Sequence, residues 1–329
     1  MKDEIIFRVI GLTGMADNSP HNIYTFVNDI WNSEGKYKIT HTNNYTHLLV
    51  FNRVNLKDVT VPQTNIFGFQ QEPPWSRHPD KTLTNKCKVV FTHTPHIYTN
   101  PSKTVKDSTI CVHNLWPKNP DGRLMYDKEL NTNKIVNSKF IKKEKLSISF
   151  SYYDVHSMGK GPGTLIERCG PKCYEHRNNL IRKLFKSDID FSLYGARWNN
   201  ALRKWGIKND GRYKGFIKHK INTLKDFEYH LSIENDILEG QVSEKIADPI
   251  LCKTIPIYFG APDIEKYYNI KGIEILDGYD DNCIEKIKDI ISTPYESYNK
   301  NVLEENIKNY RETAFNPFKR VIDYLNESN

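Results

Sequence analysis

Long hydrophobic runs are missing from this 329-residue sequence. No stretch approaches the roughly 18 uncharged apolar residues that a membrane-spanning helix needs, so no helical span is expected. The opening residues MKDEIIFRVIGLTG place two acids before a short β-branched run, where a secretory signal would need a longer apolar core and a cleavage site. They read as a first strand. Cysteine is sparse: the six (Cys87, Cys111, Cys169, Cys173, Cys252 and Cys283), with no export signal, fit a reducing compartment better than a disulfide scaffold. Cys169 and Cys173 have no second pair at ligand spacing, so a zinc site is not expected. Internal repeats and low-complexity tracts are absent as well. The 47 Lys and Arg exceed the 40 Asp and Glu by only seven, and the two signs are interleaved. That describes a mildly basic surface, and no nucleic-acid motif accompanies it. The densest basic run, Lys142-Lys143-Glu144-Lys145, sits before an apolar strand and reads as a solvated linker. A basic cleft for a phosphate-bearing small molecule stays open.

What is present is core material: 38% hydrophobic residues and 12% aromatics, too many for a disordered chain and enough for two domains. Short β-branched or aromatic runs recur at intervals that leave room for helices. In the first half they predict strands at Ile5–Ile10, His47–Phe51, Ile66–Phe69, Val89–Thr92 and Thr109–Val112. The second half offers Leu146–Tyr152, Phe191–Tyr194, Tyr229–Ile233, Thr254–Phe259 and Glu274–Leu276. His21–Ser33, Glu175–Lys186 and Ile284–Ile291 carry apolar residues at helical spacing. Such alternation predicts an α/β protein with parallel sheets covered by helices. The polar stretch Pro117–Lys145 marks a domain junction, giving residues 1–140 and 141–300 as two Rossmann-like domains facing a cleft. Val302–Leu325 reads as helix broken near Asn316-Pro317, and residues 301–329 are placed to cross back onto the first domain.

Chemistry concentrates in Phe227–Pro262. An apolar strand leads through Glu234-Asn235-Asp236 and Gly240 to Ser243-Glu244-Lys245 at a helix start. Ser243 suits an N-cap, the helix amides offer donors to a phosphate, and Lys245 adds a full charge. The arrangement suits an anionic ligand at the carboxyl ends of parallel strands. An ordinary loop, cap and surface charge pair would read the same way. Pro249 falls inside the helix, so either the helix kinks or Asp248 caps a second start.

The segment resembles the donor motif of the alpha-1,3/1,4-fucosyltransferases, which reads F-x-N-x-x-x-x-Y-x-T-E-K-[IL] followed by a V/I-P-[IV] strand and a Gly-Pro-type turn. The corresponding residues are Ile233-Glu234-Asn235, Val242-Ser243-Glu244-Lys245-Ile246 and Ile255-Pro256-Ile257-Tyr258-Phe259-Gly260-Ala261-Pro262. Upstream, Ile66–Phe69 and Gln70-Gln71-Glu72-Pro73-Pro74 look like the strand and Glu-Pro turn that carry the family's proposed base, and Arg177 is placed like its phosphate-binding arginine. The segment Gly159–Tyr174 is longer than in the family, and Ser151-Tyr152 stands where a Ser-Asn pair is usual.

The resemblance implies a GT-B fold and an inverting transfer of fucose from GDP-fucose to a hydroxyl, O3 being the expected one, of a GlcNAc- or glucose-containing glycan acceptor. It makes Glu72 the general base, although a turn cap or a pair with Arg77 is the plainer reading of that carboxylate. Arg177, Asn235, Gln241, Ser243 and Lys245 would receive the donor, Glu244 would take the ribose hydroxyls, and no cofactor or metal would be required. Asp188-Ile189-Asp190 then reads as a loop before a strand rather than a metal-binding triplet. Gln241 stands where the family has tyrosine, which leaves another nucleotide-sugar donor open, as is a catalytically silent nucleotide- or carbohydrate-binding module. Lacking the anchor of animal members, the chain looks like the soluble bacterial or viral ones. A cytoplasmic protein, free or peripheral to a membrane, is expected, with a GDP-sugar and a glycan as partners.

Overall fold

The computed structural model describes residues 4–11, 19–52, 56, 59–70, 80–92, 94–107, 132–153, 171–217, 219–278, 282–312 and 315–328. Glu72, Cys169 and the strand expected at Thr109–Val112 lie outside these residues.

Two six-stranded sheets, parallel throughout, organise the described residues. The first contains β1 (Ile6–Ile10), β2 (Lys38–Ile39), β3 (His47–Phe51), β4 (Ile66–Phe69), β5 (Val89–Thr92) and β6 (Thr104–Lys106), in the order β2-β1-β3-β4-β5-β6. The second contains β7 (Glu144–Ser149), β8 (Ser192–Tyr194), β9 (Tyr213–Gly215), β10 (Phe227–Ile233), β11 (Ile255–Phe259) and β12 (Glu274–Ile275), in the order β12-β11-β10-β7-β8-β9. Parallel strands are covered on both faces, which is why β4 and β5 are buried at every position.

Nine α-helices are described: α1 (Pro20–Trp31), α2 (Thr132–Asn137), α3 (Pro171–Lys186), α4 (Trp198–Lys204), α5 (Lys220–Leu224), α6 (Glu244–Leu251), α7 (Cys283–Ser292), α8 (Lys300–Glu312) and α9 (Pro317–Glu327). α1 starts where Ser19 accepts from the Asn22 amide and Pro20 takes the first helical position, where a missing N–H does no harm. Its buried stripe Ile23, Phe26, Val27, Ile30 and Trp31 follows helical spacing. None of the described helices is long and apolar enough to cross a membrane.

The break at Asn316-Pro317 has a definite structure. The Asn316 side chain accepts from the amides of Phe318 and Lys319, capping α9, and its Nδ2 donates to the Trp31 carbonyl at 2.8 Å. The last helices are thereby fastened to α1. Ile307, Tyr310, Phe315, Phe318 and Val321 share one core with Phe7, Phe26 and Phe51 of the first half and with Ile246 and Leu251 of the second. Arg320, buried, pairs with Asp107 at 3.0 Å.

Two local expectations change. Of the two expectations for Pro249, the second start at Asp248 is not seen: α6 runs from Glu244 to Leu251 with the proline inside it. Proline cannot donate to the carbonyl four residues earlier, that of Lys245. The Ser232 hydroxyl on β10 does so instead, at 2.7 Å. Asp248 is no cap but a fully buried partner of Lys220. The second change concerns the basic run before β7, where Lys142 turns inward rather than into solvent and donates to three acceptors.

Candidate donor site

The carboxyl ends of β7 and β10 open onto a cleft enclosing about 230 Å³. Ser149, Phe150, Ser151 and Tyr153 line it from β7 and the loop that follows, and Tyr174 and Arg177 from α3. Lys220, Asn235, Glu244 and Lys245 also line it, as do Phe216 and Ile217. Arg177, Asn235, Glu244 and Lys245, scattered over the sequence, are thus brought to one place.

Arg177 is only 3% exposed, and its guanidinium lies over the rings of Phe150 (4.7 Å) and Tyr174 (4.4 Å). Its Nη1 donates to Asn235 Oδ1 at 2.8 Å, which fixes the amide's orientation at the strand end. A guanidinium sandwiched between rings keeps its charge and loses its freedom to swing away.

Glu234, which the sequence offered no role, organises the loop from β10 to α6. Its carboxylate accepts from the Ser243 amide (2.9 Å) and the Ser243 hydroxyl (2.6 Å), and lies 3.7 Å from Lys245 Nζ. Ser243 also accepts from the Lys245 amide at 3.3 Å as the N-cap of α6. Its hydroxyl is therefore committed within the protein, and Ser243 does not line the cleft. Burial pushes Glu234 above the ordinary carboxylate range, with Lys245 pulling the other way. Gly260 completes this closure, because a Cβ there would stand 2.4 Å from both Glu234 Cγ and the Tyr258 hydroxyl.

Electrostatically the cleft is a row of mutually stabilised charges. Burial works against ionised Glu244, yet Lys245 and Lys220 reverse it and hold the carboxyl down to about 2. Burial likewise works against the Lys245 ammonium, and Glu244 and Glu234 more than compensate, so its pKa lies above the usual lysine value. Both groups stay charged across the neutral range. Lys220, anchored to Asp248 at 2.6 Å, is a third cation on the lining that no sequence motif announced. Its partner lies 28 residues away.

Gln241 is placed differently from the expectation for a donor-binding residue. It is 4% exposed and off the cleft lining, and its Oε1 has no hydrogen-bond partner among the described residues. Among the flanking features, Asp188 pairs with Lys288 at 2.8 Å, as a surface loop residue does.

No family model matches the chain. A stretch of 55 residues is 40% identical to an alpha-(1,3)-fucosyltransferase of Helicobacter pylori, covering 17% of this chain and 12% of that protein. Over that stretch the chain is similar to an alpha-(1,3)-fucosyltransferase. The match spans about an eighth of that relative's length. A crystal structure of an alpha1,3-fucosyltransferase superposes over 99% of this chain and 91% of that one, with TM-score 0.51 and 17% identity. The Anabaena HepE protein in complex with UDP-glucose superposes over 98% of this chain and all of that one, with TM-score 0.53 and 7% identity. At these identities the shared property is the fold, which is GT-B: two parallel sheets, each with helices.

Proposed function

We propose that the chain is an inverting glycosyltransferase that moves fucose from GDP-fucose to a hydroxyl of a GlcNAc- or glucose-containing glycan, with O3 as the attacking oxygen. The observation that carries this reading is the convergence of Arg177, Lys220 and Lys245 with the N-terminus of α6 at the carboxyl ends of β7 and β10. Three cations facing one carboxylate on the lining, Glu244, suit an anion of multiple charge such as a diphosphate.

In the proposed reaction the acceptor hydroxyl attacks the anomeric carbon of fucose as its proton passes to Glu72. The bond from that carbon to the β-phosphate oxygen breaks, and GDP leaves with the electron pair. Negative charge grows on the diphosphate as the bond lengthens. Arg177 and Lys245 are the groups assigned to meet it, held in place beforehand so that little reorganisation is needed. Glu244, anionic between two lysines, is suited to accept hydrogen bonds from a ribose diol. Asn235, oriented by Arg177, retains its amide N–H for a donor oxygen.

The test is a donor panel. Purified protein should be stabilised thermally by GDP and release fucose slowly from GDP-fucose. Glu72→Gln should bind GDP normally and transfer fucose about 10²-fold or more slowly, the usual scale of general-base catalysis; unchanged transfer removes Glu72 from the reaction. A second reading, the same chemistry with another nucleotide-sugar, draws on Gln241 in the position of the family's tyrosine and on a fold shared with a protein that was crystallised with UDP-glucose. Stabilisation by UDP in place of GDP would select it. Binding without transfer or hydrolysis would select a silent binding module.

A further inference from the structure

Lys142 lies in the connection between the two halves, two residues before β7, and not on the cleft lining. Its ammonium donates to the carbonyls of Cys252 (2.9 Å) and Lys225 (3.2 Å) and to the Thr254 hydroxyl (2.9 Å). Cys252 is the C-cap of α6 and Lys225 the C-cap of α5. One cation therefore terminates two helices at once. The other ends of the same helices supply the cleft with Lys220, the first residue of α5, and with Glu244 and Lys245, the first residues of α6. The Lys220–Asp248 pair ties the start of α5 to the middle of α6.

We infer that Lys142 is a positioning residue for the donor site: from the inter-domain connection it holds the carboxyl ends of α5 and α6, and so sets where Lys220, Glu244 and Lys245 stand at the cleft. The inference rests on the donor reading above. Two physical effects act in the same direction. A cation at a helix C-terminus opposes the helix dipole's negative end, and the three hydrogen bonds fix both helices to one point of the connecting chain. Neighbouring residues reinforce that point. Lys143 and Glu144 both donate their amides to the Asp226 carbonyl, at 2.7 and 3.1 Å.

The surroundings make this cation titratable near neutrality. No carboxylate among the described residues pairs with it. The groups around it are the Phe140 and Tyr295 rings, the Cys252 thiol, Asp226 and Glu228, with Lys253 as a second cation. Burial dominates and lowers its pKa to about 8, against the opposing pull of Cys252, Asp226 and Glu228. Cys252 and Tyr295 are both pushed by burial up to about 12 and keep their protons through the same range. At the cleft, Lys245 is displaced upward and Glu244 down to about 2, so neither changes charge near pH 8. Protonated Lys142 is present below about 8 and lost above it, so donor affinity should fall as pH rises through that value.

The experiment is calorimetric titration of GDP into the full chain from pH 6.5 to 9.5, for wild type, Lys142→Met and Lys142→Arg. Wild type should weaken about three- to tenfold across a midpoint near pH 8, the scale of coupling between residues that do not touch the ligand. Lys142→Met should bind about that much more weakly at pH 7 and show no midpoint. Lys142→Arg, whose charge does not titrate there, should hold its affinity through pH 9. A methionine variant with wild-type affinity, or an arginine variant that keeps the wild-type midpoint, overturns the inference; the arginine curve decides if the methionine variant does not fold. Failure of wild type to bind GDP at any pH is a different result, and it removes the donor reading along with the coupling built on it.

Discussion

The two halves solve the same architectural problem with different forces. In the first, three adjacent strands place Phe51, Phe69 and Phe91 in register, and the rings stack at 5.2 and 4.8 Å. Trp31 of α1 extends the stack at 5.9 Å from Phe51. In the second, the ends of β7 and β10 carry buried charge: Arg177 between two rings, Glu234 against Ser243, and Lys220 against Asp248. An aromatic ladder is stabilised by area removed from water and is indifferent to pH. A buried charge network gains little net stability, and removing one partner leaves the other uncompensated. The first half is therefore built for rigidity and the second for holding charge in fixed places, which is what a site for an anion needs.

Phe69→Ala should produce the largest loss of stability, about 3–5 kcal/mol in urea unfolding, because the middle rung is fully buried and touches a ring on either side. GDP affinity of the folded fraction should not change; a parallel drop in affinity would show that the halves are not separable in this way. Ser232→Ala should cost less, about 1–3 kcal/mol, since it leaves the Lys245 carbonyl in front of Pro249 without its donor. Unlike Phe69→Ala, it should also weaken GDP binding, because the unpaired carbonyl belongs to a residue of the cleft. Glu244→Gln is read in the pH dependence of stability: its difference from wild type is present at neutral pH and shrinks in acid. The Glu244 carboxyl lies below its unfolded value of 4.5, so the stability it contributes is present above 4.5 and lost as pH falls toward about 2. The slope of the thermal midpoint over that window should be shallower in Glu244→Gln than in wild type, and identical slopes would mean that the two lysines do not hold the carboxylate as described.

The strands were legible wherever their own residues specify them. His47–Phe51, Ile66–Phe69 and Val89–Thr92 have the limits their apolar runs suggest, because a strand buried on both faces must be apolar throughout. β2, β9, α4 and α5 left no such mark. β9, Tyr213-Lys214-Gly215, is an edge strand held by its pairing with β8 rather than by an apolar pattern of its own. At the cleft the motif around Asn235, Glu244 and Lys245 could be read because its parts are close in sequence. Lys220 could not, since what makes it part of the site is an ion pair formed only when α5 packs on α6. Gln241, placed among the donor residues because it stands where the family's tyrosine does, is buried beside the Gly240 turn and is not among the cleft-lining residues.

The return of the last helices to the first sheet also bears on how the chain is made. Phe315, Phe318 and Val321 fill the core beside Phe7 and Phe26, and Asn316 fastens to Trp31 across 285 positions of sequence. The sheet synthesised first therefore lacks part of its core until translation has passed residue 321. One face of strands β7 to β12, with Leu146, Ile148, Leu231, Ile257 and their neighbours, closes with contributions no later than Leu303, while Tyr258 of β11 and the apolar face of α6 belong to the core that the last helices complete. On the ribosome the first sheet and the buried face of α6 are therefore completed together, once the final helix is available.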